Sequence, residues 1–135
     1  MNRVALSGHS ILVVEDEPLI AMHIAEGLRK AGASVMTAHT LCDGLRLAGH
    51  PDLTAAIIDF RLRDDDGTAL CERLHQRGVP FVLHTGYSHV DEACRRGVVV
   101  MKPATPEQLA MAIDAMIARP RQDRGAPVAV AAHGS

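Results

Sequence analysis

Five short apolar runs recur along the chain: Ile11 to Val14, Ser34 to Ala38, Thr54 to Ile58, Val79 to Leu83 and Val98 to Met101. Nearly continuous Val/Ile/Leu runs of this length fit strands covered on both faces, as in a parallel sheet. The segments between them have helical spacing. From Pro18 to Ala31, the residues Ile20, Ile24 and Leu28 fall on one stripe, behind a proline where a helix start tolerates it and ahead of Gly32. A second helix carries Leu41, Leu45 and Ala48, with Thr40 and Asp43 at capping-box spacing, and a third carries Leu70 and Leu74 up to Gly78. A short fourth helix is expected between Ser88 and Arg96, and a fifth opens Thr105-Pro106-Glu107-Gln108 to bury Leu109, Ile113, Met116 and Ile117. Strand and helix alternating in this way predict an α/β fold, a five-stranded parallel sheet with right-handed crossovers.

At 135 residues the chain is long enough for one core and too short for two. Residues 1–119 are expected to form that domain. Residues 120–135 turn into Pro, Gly, Ala and scattered charge with no usable stripe, and are expected to be a flexible tail, too short for an output domain. Aromatic residues make up only 2%, so the core must be aliphatic. The net charge of -2 lacks the basic excess that phosphate-backbone contact needs, so direct nucleic-acid binding is not expected. No apolar run approaches the length of a membrane span, and Met1 to Gly8 lacks a signal-peptide stretch, so a soluble, cytoplasmic protein is expected. Cys42, Cys71 and Cys94 are odd in number and show no CxxC spacing, which predicts free thiols in a reducing cytosol.

Ligands of an open parallel α/β sheet sit beyond the carboxyl ends of its strands, where the strand order reverses. The first strand delivers Glu15-Asp16-Glu17 to that edge, the third Asp59, the fourth Thr85-Gly86 and the fifth Lys102-Pro103. Crowded carboxylates raise each other's pKa and call for a cation. A hard divalent ion such as Mg²⁺ suits oxygen ligands, with Glu15 and Asp16 as the acidic pair. Asp59 then serves as a nucleophile toward phosphorus, while Lys102 and Thr85 supply a charge and a hydroxyl to the phosphoryl oxygens.

With these residues in view, the chain resembles the receiver family of bacterial response regulators over residues 9 to 119. The matching stretches are Ile11-Leu12-Val13-Val14-Glu15-Asp16-Glu17-Pro18, Ile57-Ile58-Asp59, Asp66-Gly67, Thr85-Gly86 and Lys102-Pro103. The resemblance implies a flavodoxin-like, doubly wound fold with sheet order 2-1-3-4-5. It implies Asp59 as phosphoacceptor, Mg²⁺ on Glu15, Asp16, Asp59 and the backbone carbonyl of Arg61, and Thr85 and Lys102 at the phosphoryl group. It also implies a cis bond before Pro103. The implied partner is a sensor histidine kinase or a histidine phosphotransfer protein. The signal of a stand-alone receiver would leave by protein contacts or onward phosphotransfer, from a monomer or a weak homodimer formed through the face of the fourth helix, fifth strand and fifth helix. Its own phosphorylation and slow autodephosphorylation are the only catalysis implied.

The sequence departs from the family at Val99, where many receivers carry an aromatic switch residue. Tyr87, two residues after Thr85, is similar to the tyrosine of single-domain receivers with a Thr-Gly-Tyr-like motif, so Thr85, Gly86, Tyr87 and Val99 are the candidate switch positions. For Val99, ordinary strand packing competes with that role. His84, beside Thr85, reads as packed or hydrogen-bonded, and Asp66 as the cap of the third helix. Three rival functions are weighed. A haloacid-dehalogenase-type phosphohydrolase wants a second aspartate where Arg61 stands, a flavodoxin's flavin phosphate would be repelled by Glu15-Asp16-Glu17, and a phosphate-independent pseudo-receiver would not need the full set of strand-end groups.

Overall fold

The computed structural model describes residues 5–59, 67–86, 94 and 97–118. In chain order these form β1 (Ser10–Val14), α1 (Pro18–Lys30), β2 (Ser34–Ala38), α2 (Leu41–Leu47), β3 (Ala55–Asp59), α3 (Thr68–Gln76), β4 (Phe81–Thr85), β5 (Val98–Met101) and α4 (Pro106–Ala118). All strand pairs are parallel and the sheet order is β2-β1-β3-β4-β5, the doubly wound order the resemblance implied. The helix expected between Ser88 and Arg96, the role of Asp66 and the tail from residue 120 lie outside the described residues, so α4 here is the fifth helix of the sequence reading.

Alternation along the strands divides the core into two layers. Ile11, Val13, Ala55, Ile57, Val82, Val98 and Val100 point to one face, where Ile24 and Leu28 of α1 and Leu109, Ile113 and Met116 of α4 cover them. Leu12, Val14, Ala56, Ile58, Phe81 and Leu83 point to the other, against Leu70, Cys71 and Leu74 of α3. This period of two, hidden inside continuous apolar runs, is what a sheet buried on both faces requires. Tight helix contacts depend on missing side chains. A Cβ on Gly27 of α1 would collide with the Pro106 ring of α4, and one on Gly44 of α2 would lie 3.2 Å from Val14.

Local chemistry sets the element ends. Thr105 and Gln108 form a reciprocal capping box at α4, with Thr105 N–H donating to Gln108 Oε1 at 2.8 Å and Gln108 N–H to Thr105 Oγ1 at 3.1 Å. Thr40 Oγ1 accepts the Asp43 N–H at 3.1 Å to open α2. Helices α1 and α3 both end in a Schellman motif around a left-handed glycine, Gly32 at φ 105° and Gly78 at φ 71°. In the second of these, Val79 N–H donates to Leu74 O at 2.9 Å. That bond corrects the expected start of β4. Val79 is buried like a strand residue, but its donor closes α3 and Pro80 has none to give, so pairing begins at Phe81. Similarly β3 begins at Ala55, because the Thr54 side chain is bonded to the Ser10 backbone in both directions. The N-cap position of α3 falls on Gly67, at φ 74° and without a side-chain cap.

The cysteine expectation is corrected. Cys71 on α3 and Cys94 are joined in a disulfide, their Cα atoms 5.2 Å apart and 23 residues apart in sequence, while Cys42 is free and exposed. Motif spacing could not find this pair, because the fold, and not a short loop, brings the two sulfurs together.

Candidate functional site

The chain runs from β1 to β2 on one side and then to β3 on the other, so the strand order reverses between β1 and β3. Register pairs Val14 with Ile58, which sets Glu15 and Asp59 side by side one step further, at the carboxyl ends of the two strands. Asp59 is 2% exposed, and both of its oxygens accept from Lys102 Nζ, at 2.8 Å and 2.9 Å. Lys102 arrives there because its backbone N–H donates to the Thr85 carbonyl at 2.7 Å, tying the end of β5 to the end of β4. The Lys102–Pro103 peptide bond is cis. Thr85 is fully buried as the last residue of β4.

Glu15 is 1% exposed and anchored on three sides. Its N–H donates to Ala38 O at 2.9 Å, its carbonyl bonds His39 Nδ1 at 3.0 Å, and its Oε2 accepts the Glu17 N–H at 3.0 Å. Burial, followed by contact with the Asp59 carboxyl, pushes the Glu15 pKa up to about 8, against the easing effect of the Glu17 N–H. The remaining oxygen, Oε1, is buried without a hydrogen-bond partner among the described residues, and so is Asp16 Oδ1.

Two buried acceptor oxygens with no donor among the described residues, beside a carboxylate already paired with an ammonium, fit a hard divalent cation. Among the described residues no group of three His, Cys, Asp or Glu side chains forms a ready-made cage. Mg²⁺ does not ask for one, since it keeps several waters and takes one or two carboxylates with phosphate oxygens.

The structure therefore brings together Glu15, Asp59, Thr85 and Lys102, with Asp16 following directly on Glu15. Arg61 and Tyr87 lie outside the described residues. The backbone at Gly86 is not left-handed, and a Cβ there would meet nothing within 4 Å, so this conformation does not require a glycine. Val99 is half-buried, in register with Leu83, and packs on the layer that holds Phe81. His84 is buried in register with Asp59. Sequence reasoning missed His39. It considered four strand ends and passed over β2, although the expected sheet order already set β2 beside β1.

The family model described as the response regulator receiver domain matches residues 11–114, and the chain belongs to that family. It is 32% identical over 114 residues to the Sensor protein TorS of Escherichia coli K12, an alignment covering 78% of this chain and 12% of that protein. The structure of a CheY-like receiver domain protein from Methanospirillum hungatei JF-1 superposes with a TM-score of 0.73 at 28% identity, covering 82% of this chain and 94% of that one. A response regulator protein from Burkholderia pseudomallei, crystallised with a phosphorylated aspartic acid, a calcium ion and citrate, gives a TM-score of 0.64 at 26% identity, covering 82% and 73%. The chain is a phosphoaccepting receiver domain of the two-component kind, a signalling module; nothing in these likenesses favours a phosphohydrolase. It spans only a small part of TorS.

Proposed function

We propose that Asp59 accepts a phosphoryl group from the phosphohistidine of a sensor kinase or a histidine phosphotransfer protein. The observation that carries this reading is the double contact of Lys102 Nζ with Asp59 beside the partnerless oxygens of Glu15 and Asp16. Mg²⁺ would be held by Glu15, Asp16, Asp59 and the Arg61 carbonyl, and when bound it supplies neutralisation of the charge on the transferred group. One Asp59 oxygen attacks phosphorus while the bond from phosphorus to the donor nitrogen breaks, leaving neutral imidazole once it takes up a proton. Lys102 shifts its ammonium from the carboxylate to the phosphoryl oxygens, and the Thr85 hydroxyl donates to another of them. Hydrolysis of the resulting acyl phosphate by water is slow and resets the protein.

Thr85 and Gly86 head the segment that responds, together with Tyr87, and Val99 acts through packing. The protein works in the cytoplasm and passes its signal through protein contacts or onward phosphotransfer without touching nucleic acid directly, a reading supported by its mildly acidic charge. No described helix is long and apolar enough to cross a membrane.

Incubation with acetyl phosphate and Mg²⁺ should add the mass of one phosphoryl group. The adduct should be absent from Asp59→Asn and absent when EDTA replaces the metal. An adduct that persists in Asp59→Asn overturns the assignment of the acceptor, and one that forms equally well in EDTA overturns the role of the metal.

A further inference from the structure

The Cys71–Cys94 bond joins the two stretches of chain that leave the site. Cys71 lies in α3, the first helix after Asp59, and Cys94 lies among residues 86–97, the connection that follows Thr85. Both side chains are fully buried. We propose that this pair is a reversible two-electron redox site, which staples the β4–β5 connection to α3 when oxidised and releases it when reduced. The inference rests on the cytoplasmic receiver reading above for its biological sense, since disulfides in a reducing cytosol are usually transient and redox-sensing.

Three observations support it. The Cα separation of 5.2 Å lies inside the range that a disulfide spans without backbone movement, about 4.4–6.8 Å. On reduction, a Cys94 thiol would have the Gly67 carbonyl at the start of α3 near it, 4.0 Å from Sγ, a weak acceptor at the outer limit of reach. Finally, the bond closes a ring through residues 71–94 that contains all of β4 and Thr85, so any rearrangement of the chain after Thr85 is covalently limited while the bond is intact.

The chemistry balances with a peroxide as oxidant. One thiolate attacks a peroxide oxygen to give a sulfenic acid and water, and the second thiol displaces a second water as the sulfur–sulfur bond forms. Reduction by a dithiol runs through a mixed disulfide, returns two thiols and leaves the reductant as its own disulfide. Burial means that both directions wait on a local opening around Cys94, which distinguishes this pair from the exposed Cys42.

The test uses the full chain carrying Cys42→Ser, which removes the exposed thiol. One sample is treated with hydrogen peroxide and the other with dithiothreitol, both without denaturant. Alkylation in denaturant followed by intact mass should find no free thiol in the first and two in the second. Amide exchange of residues 86–97 should be about tenfold slower in the oxidised sample. Cys94→Ser should exchange like the reduced protein under either treatment; if that variant does not fold, the reduced parent remains the comparator. Two free thiols after peroxide, a bond that dithiothreitol cannot open in the folded protein, or equal exchange rates would each overturn the proposal. Acetyl phosphate added to the same samples keeps the readings separate: absence of the phosphoryl adduct from both sinks the Asp59 assignment, while the exchange data still decide the redox site.

Discussion

Lys102 Nζ spans both oxygens of a carboxylate that is almost wholly buried, so among the described residues this ammonium faces the proposed nucleophile squarely. Lys102→Ala removes both that pairing and the cation proposed to move onto the phosphoryl oxygens. The initial rate of adduct formation from acetyl phosphate should fall by roughly 10²–10³, the usual loss for one preorganised donor. A rate within a factor of about three of the parent would remove Lys102 from the mechanism. Glu15 makes a separate prediction. Its carboxyl titrates near 4.5 in an unfolded chain and about 8 in the fold, so between those values the native state holds the extra proton. The resulting stabilisation is fully present below about pH 4.5 and is lost as the pH rises through 8. Urea unfolding of the metal-free protein should therefore show stability declining from about pH 5 to 8, with a shallower slope in Glu15→Gln. Saturating Mg²⁺ should flatten the decline, because the cation replaces the proton on the same oxygens. A parallel slope in Glu15→Gln would mean that another group carries the dependence.

Among the elements, the crossing of α1 and α4 rests on Gly27, whose missing side chain admits the Pro106 ring. Gly27→Ala would gain about 1 kcal/mol of helix propensity. It would lose about 1–3 kcal/mol to overpacking against a rigid ring. Because the ring and backbone there have little room to give, a net loss of about 1–2 kcal/mol in urea unfolding is expected. No loss, or a gain, would show that the two helices separate freely. This contact was not legible in the sequence, where Gly27 simply sits inside a helical stripe. What was legible is the set of elements whose ends carry their own chemistry, such as the Thr105–Gln108 box and the Pro18 start. The start of β4 was misplaced because hydropathy registers the burial of Val79 and is blind to where its N–H is spent.

For the molecule as a whole, the sheet order and the gathering of Glu15, Asp59, Thr85 and Lys102 at one edge followed from the alternation of strands and helices and from what each strand ends on. The Cys71–Cys94 bond and the hydrogen bond from His39 to Glu15 did not, since each joins segments related only through tertiary packing. Among the described residues Phe81 is the one aromatic side chain in either layer of the core, and the whole chain has two phenylalanines, one tyrosine and no tryptophan. That poverty of rings has an optical consequence. Near-ultraviolet absorption and intrinsic fluorescence arise almost entirely from Tyr87, two positions beyond Thr85, so the protein carries a built-in dye in the stretch of chain proposed to respond to phosphorylation.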